Sequence, residues 1–290
     1  MQRVQTALIV LVAGVLLSCA STPPVPLSDY LTSPARMRDQ IVEKVAFWES
    51  AIDYDQGGFF TAVARDGSIM DSDQKSLVVQ SRHAYAFSRA FMVTGDERYL
   101  DLADHALAFL YQHGWDDTYG GWFFSVDRDG DLLAFNEWWD PNTFKWVFTQ
   151  HYALLGIGAR YEAGPNDREL EWFERGVASN ETFLWDPESG GYFEEADADW
   201  ANPRGKGFTG TIDGITTHAL LALLTLDEPH YEERFFALAD IAATTLVGSM
   251  DHPAVELGFA ERYTPEWRVN TEQSGGSVGH QLKVVWSLSR

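Results

Sequence analysis

Four stretches of the chain are apolar on nearly every side, and between them run stretches that are apolar on one side only. Residues 76–93 carry Leu77, Val78, Val79, Ala84, Tyr85, Phe87 and Phe91, the pattern of a helix buried on most of its faces. Tyr99–His113 instead sets Leu100, Ala103, Leu107 and Leu110 on one face, with Asp101, Asp104 and His105 elsewhere. That spacing predicts a one-sided surface helix. The alternation continues with Phe144–Ala163 apolar, Asp167–Phe183 amphipathic, Ile212–Leu226 apolar and Tyr231–Val247 amphipathic, and a last apolar helix opens near Gly279. Ahead of them, Arg36–Ser50 has helical spacing at Ile41, Val45, Phe47 and Trp48, opened by a Ser33-Pro34 cap. These eight helices predict an all-α double layer. Inner helices near 76–93, 144–163, 212–226 and 279–290 line an axis, and outer helices pack around them. No linker marks a second domain within 34–290.

Short motifs punctuate this alternation. Asp53–Phe59, Asp116–Trp122 and Asp186–Tyr192 each read Asp, three free positions, Gly-Gly and an aromatic residue, at intervals of 63 and 70 residues. The first two copies run on to Arg65-Asp66-Gly67 and Arg128-Asp129-Gly130, then to Lys75 with Gln80 and Lys145 with Gln150. Such a repeat means stacked units that cannot each bury an apolar face alone. Paired glycines permit positive φ, and Arg-Asp-Gly suits a hairpin turn. The copies therefore predict short aromatic hairpins clustered at one end of the helical layers.

Composition narrows the setting. A net charge of −22 argues against nucleic acid and anionic membrane surfaces as partners. Most of the 11 Trp, 11 Tyr and 18 Phe are expected in the core, while aromatics beyond core needs often line sugar-binding clefts. At the start, Arg3 precedes the apolar run Ala7–Leu17, which has the length of a signal peptide rather than a membrane span. Leu16-Leu17-Ser18-Cys19 resembles the cleavage box of bacterial lipoproteins, so residues 1–18 are expected to be removed and Cys19 lipidated. Residues 19–33, with Pro23, Pro24 and Pro26, then read as an extended tether. Cys19 is the only cysteine, so no disulfide can form within the chain. Ala20 stands where aspartate commonly retains lipoproteins at the inner membrane, and the expected place is the outer membrane, facing the periplasm.

Polar residues on the apolar helices are the candidates for chemistry. Arg82 must be paired or face a wet cavity, since an isolated buried charge is prohibitive. Gln150 stands at the repeat position of Gln80, with His151 beside it. His218 lies deep in Thr216–Leu221, and His280 opens the last helix, where a helix N-terminus favours the neutral ring of a base. Each alone reads equally as a satisfied structural group. Together, Arg82, Gln150, His218 and His280 fall on four successive inner helices and predict an axial pocket with two imidazoles able to exchange a proton. No metal motif or phosphate loop is visible, whereas a pair of carboxylates for glycoside cleavage has 43 Asp and Glu to draw on.

Gln80-Ser81-Arg82 with Phe87-Ser88, the third hairpin from Asp186 through Gly190–Glu194 to Asp199-Trp200, and Gly279-His280-Gln281-Leu282 with Trp286 together resemble the N-acylglucosamine 2-epimerase superfamily, from about Phe47 onward. This superfamily includes cellobiose 2-epimerases and mannose isomerases. The resemblance implies an (α/α)6 barrel of twelve helices. It also implies proton transfer beside the carbonyl of an open-chain mono- or disaccharide through a cis-enediol, without metal or redox cofactor. It assigns His218 and His280 as acid and base, Arg82 as the group steadying the enediolate, and Trp200 and Trp267 as sugar contacts beside Gln150.

The departures carry expectations of their own. The family's Asn-Thr-His-Leu-His-Leu-Leu-Glu helix keeps one histidine here, and its register is open: either Gly214 or Thr216 takes the Asn position. Lys283 replaces a family Glu one turn after His280, and a cation there disfavours an imidazolium. With about eight of the family's twelve helices, the chain is expected to be an incomplete barrel, to pair as a homodimer or aggregate, and to show little epimerisation alone. The first functional expectation is a lipid-anchored sugar epimerase or aldose–ketose isomerase. The alternatives are a catalytically degraded sugar-binding lipoprotein and another (α/α)-barrel enzyme such as a glucuronyl hydrolase, which needs an acidic residue aimed into the pocket.

Overall fold

The computed structural model describes residues 26, 28, 32–133, 140–273 and 275–289, so Cys19 and the expected signal peptide lie outside the described residues. The chain divides into two units, 1–41 and 42–290, and the second holds every hairpin and all helices after the first. Helix α1 is Pro34–Trp48, and its first turn is capped where Ser33 Oγ accepts the Arg36 N–H. The next helices are α2 (Leu77–Thr94), α3 (Arg98–His113), α4 (Val147–Ala163) and α5 (Asp167–Phe183). Two wide π segments, Thr209–Asp213 and Ile215–Ala219, run into an α-helical stretch, Leu220–Thr225, and together form α6. Helix α7 starts as Pro229–Asp240, widens over Ile241–Leu246 and tightens over Val247–Asp251. Helix α8 is Val278–Leu288.

The expected alternation holds: α2, α4 and α6 pack on one another in series, and α3, α5 and α7 pack outside them. Close approach of α2 and α4 depends on Gly156, where a Cβ would stand 2.3 Å from the Ser81 carbonyl oxygen. Ser81 Oγ uses that closeness to accept the Gly156 N–H at 2.8 Å. Among the described residues no helix is long and apolar enough to cross a membrane.

Three two-stranded antiparallel ladders join successive hairpins at the end where the inner helices begin. Strand β1 (Lys75–Ser76) pairs with β2 (Ser125–Val126), β3 (Phe144–Trp146) with β4 (Glu195–Asp197), and β5 (Lys206–Gly207) with β6 (Arg262–Tyr263). Each segment leading into an inner helix thus pairs with the segment after the next hairpin, which stitches one repeat to the following one. The Asp-Gly-Gly phrase is the clamp of each hairpin. Lys75, Lys145 and Lys206, each at most 1% exposed, place Nζ 2.8, 2.7 and 2.6 Å from Asp53, Asp116 and Asp186. Burial alone would raise these carboxyls, but the bonds from Lys, and from Arg128 at Asp53, outweigh it and hold all three below the usual range.

A fourth unit, without the full phrase, follows: its β6 pairs with β5, and Tyr263 bridges to Val269. The turn positions occupied by Gly67 and Gly130 in the first two repeats are taken by Trp200 and Trp267 in the next two, all at positive φ.

Candidate active site

The repeat itself decides the fate of three predicted site residues. Gln150 is fully buried, its Oε1 accepting the Trp122 N–H and its Nε2 donating to the Trp122 carbonyl, both at 2.8 Å. Gln80 clasps Phe59 in the same way at 2.8 and 2.7 Å. Gln150 is therefore a hairpin clasp with no amide edge left for sugar, which corrects its assignment as a substrate contact.

Trp200 donates its indole N–H to the Tyr119 carbonyl at 2.8 Å, and its ring fills the space above Gly121. Trp267 repeats the arrangement one unit on, donating to Gly190 at 3.0 Å and covering Gly191. A Cβ on Gly121 or Gly191 would lie 2.4 or 2.5 Å from these rings, so the second glycine is the socket of the tryptophan. Both assignments as sugar-stacking faces are corrected to closure of the preceding hairpin.

His218 is placed away from the other two candidates for catalysis. It lines a small cavity on the outer side of α6 with Val177 and Glu181 of α5 and His230, Tyr231 and Arg234 of α7. Its Nε2 lies 3.0 Å from His151 Nδ1, and His151 Nε2 lies 3.3 Å from the Gly210 carbonyl oxygen. A carbonyl only accepts, so His151 donates there, its Nδ1 accepts, and His218 supplies the proton between the rings. Burial pushes His218 down to about 3 and His151 well below the ordinary imidazole value. His218 is thus a neutral link in a buried chain on the side of α6 that faces the outer helices. Thr216 and Leu220, on another side of α6, line a groove with Tyr85, Arg89 and Trp286, in keeping with the register that sets Thr216 at the family's Asn.

Arg82 and His280 lie on opposite sides of an ion pair that sequence reasoning missed, each close enough for its charge to act on Asp213. Asp213, on the first wide segment of α6 and 4% exposed, binds Lys283 Nζ. Lys283 also reaches Tyr152 Oη at 3.3 Å, and the Arg82 guanidinium lies over the same Tyr152 ring at 4.4 Å. Burial raises the Asp213 carboxyl despite the opposing charges of Lys283, His280 and Arg82. His280 stacks on Phe208 with ring centroids 4.0 Å apart, and its Nδ1 stands 2.9 Å from Glu261 Oε2.

Beside this cluster, Trp146, Phe148, Glu194, Glu195, Thr209 and Arg262 line a cavity of about 310 Å3. Glu194 accepts the Gly210 N–H at 2.9 Å, and burial raises its carboxyl. The arrangement offers one imidazole, three cations in Arg82, Lys283 and Arg262, and two carboxyls of raised pKa. Among the described residues no three His, Cys, Asp or Glu side chains are grouped to hold a metal ion.

The missed residues left a faint trace. Asp213 is the lone carboxylate within an otherwise apolar helix, a signal of the same kind that singled out Arg82. Glu261 left none, because only the β5–β6 ladder and the start of α8 bring it beside His280.

Comparison with known proteins places the chain in a family. Residues 58–290 match the family model of N-acylglucosamine 2-epimerase. A cellobiose 2-epimerase of Eubacterium cellulosolvens is 34% identical over 125 residues, which are 43% of this chain and 29% of that protein. A D-mannose isomerase of Marinomonas mediterranea is 22% identical over 246 residues, 84% of this chain and 58% of its own. The structure of cellobiose 2-epimerase from Spirochaeta thermophila superposes with a TM-score of 0.75 at 22% identity, covering 91% of this chain and 65% of that one, a likeness of fold. The chain spans less than two thirds of the length of each of these relatives.

Proposed function

The chain belongs to the N-acylglucosamine 2-epimerase family, and from that premise we propose that it moves a proton beside the carbonyl of an open-chain mono- or disaccharide. The observation that carries the reading is the buried Asp213–Lys283 pair, with Lys283 bonded to the Tyr152 hydroxyl and Arg82 lying over the same tyrosine ring. In this reading His280 removes the hydrogen on the carbon next to the carbonyl, leaving a cis-enediol whose oxygen gathers negative charge. Arg82 and Lys283 supply positive charge on that side, the usual means of stabilising such an intermediate.

Only one imidazole is available, since His218 lies in the buried chain with His151. A single base returns the proton to the face from which it took it. Delivered to C1, while the proton on O2 passes to O1, it converts an aldose into a ketose, so isomerisation needs only His280 as carbon base. Epimerisation at C2 needs a donor on the opposite face, and Asp213 or Glu194, the carboxyls with raised pKa, would have to serve. We favour the isomerase.

Lys283 is held by Asp213, and Glu261 is the charged group that stands at His280. The test is deuterium uptake at C2 of glucose, mannose, N-acetylglucosamine and cellobiose in deuterated water, with ketose formation followed alongside. Exchange should occur, fall by about 10²–10⁴-fold in His280→Ala, and persist in His218→Gln. Exchange that survives His280→Ala overturns the assignment. A second reading, sugar binding without turnover, is favoured by Lys283 locking Asp213 in an ion pair. It predicts calorimetric sugar binding with no exchange.

A further inference from the structure

We propose that Glu261 is the positioning residue of His280, holding the ring so that Nδ1 carries the proton and Nε2 faces the reacting atoms. The Nδ1 atom is buried and lacks an in-line hydrogen bond, yet it stands 2.9 Å from Glu261 Oε2. The His280 side chain is nevertheless 43% exposed, so its exposure lies on the rest of the ring. A buried ring nitrogen beside a carboxylate is where the proton of a neutral imidazole belongs, because a carboxylate only accepts. A small rotation of the ring brings that N–H into line.

The carboxylate is held independently of the histidine. Glu261 Oε1 accepts the Ser277 N–H at 2.6 Å, at the threshold of α8, and the Glu261 carbonyl accepts the Phe208 N–H at 3.1 Å. Gly207 leaves room for that carbonyl, since a Cβ there would come within 2.1 Å of it. Phe208, fixed by the same bond, supplies the stacking face of the imidazole at an interplanar angle of 13°. The ring is therefore bounded by Phe208 on one face and Glu261 at its Nδ1 corner. Lys283 and Asp213, the other charged groups near it, are bound to each other. This pair also explains how the site does without a carboxylate at position 283: the acidic partner of His280 comes from the β6 side instead of from α8.

The experiment uses the whole chain labelled with 15N in histidine, with His280 assigned by its loss in His280→Gln. Long-range 1H–15N correlation reports which ring nitrogen is protonated. Wild type should show the Nδ1–H form. Glu261→Gln can keep the acceptor for Ser277 but presents an NH2 to Nδ1, so the ring should turn over to the Nε2–H form. In the deuterium-exchange assay the same variant should lower kcat by ~10-fold or more with little change in KM. The kinetic arm rests on the proposed function, whereas the tautomer does not. Wild type in the Nε2–H form, or an Nδ1–H form retained in Glu261→Gln, overturns the proposal even if sugar turnover is present. A tautomer that flips as expected in a chain without exchange would leave Glu261 assigned and remove the proton-transfer reading.

Discussion

Three histidines, His83, His151 and His218, are held neutral because each sits where an imidazolium would lose its hydration. Burial lowers His83 to about 4 and His218 to about 3, with His151 well below its ordinary value. The unfolded chain takes up these protons first as the pH falls through about 6.5. Their contribution to stability is complete above that pH and is lost toward the folded values, at about 1.4 kcal/mol per pH unit for each histidine. The lowered clamp carboxyls act only below roughly pH 4. Asp213 and Glu194, raised by burial, oppose the slope just above that point. Urea midpoints should therefore change little near about pH 7.5 and fall most steeply between about pH 6 and 5. A midpoint that does not move in this interval would show that the rings are charged or wet.

At the scale of the element, the hairpin clamps replace an extended sheet. Lys145→Met leaves Asp116 buried without its cation, and such a break costs about 3–5 kcal/mol. Gln150→Ala strands the N–H and carbonyl of Trp122, each at about 1–3 kcal/mol. Equilibrium urea unfolding should register both losses, while Gln56→Ala, which removes an exposed bond to Asp129, should shift the midpoint little. Gly191→Ala combines positive φ with a clash against Trp267, and should release that indole as a rise in its fluorescence quenching by acrylamide. Equal costs for the clamp and surface substitutions would mean that the repeat is decoration and the helices alone hold the fold.

For the whole molecule, the notable feature is α8. Only Val284 and Ser287 are buried on it, whereas Val278, Leu282 and Val285 are 60, 66 and 67% exposed. An apolar strip of this kind seeks cover. The 290-residue chain should self-associate with rising concentration, and Leu282→Lys with Val285→Lys should return it to monomer in sedimentation while its helical circular dichroism is unchanged. A wild-type chain monomeric at all concentrations would show the strip to be tolerated in water. For its place in the cell we propose the lipid anchor at Cys19, and Cys19→Ser should move the protein from the membrane fraction to the soluble periplasm. Unchanged fractionation would remove the anchor.

The alternation of buried and half-buried helices, the hairpins and their common end were all legible in the sequence, because hydrophobic period and glycine placement act locally. Arg82 and His280 stood out as candidates for the same reason: a charge in an apolar stretch and an imidazole at a helix start declare themselves within one turn. The partners of polar groups were not. Gln150, Trp200 and Trp267 read as site residues until the fold brought their hydrogen-bonding edges against backbone two or more elements away. Which way His218 faces depends on the wide turns of α6 between Asp213 and Ala219, and no single-helix period reports the rotation they introduce. Asp213 with Lys283, and Glu261 with His280, are contacts between segments 70 and 19 residues apart. The chain carries both members of each pair, but only the packing of α8 against the start of α6 decides that they meet.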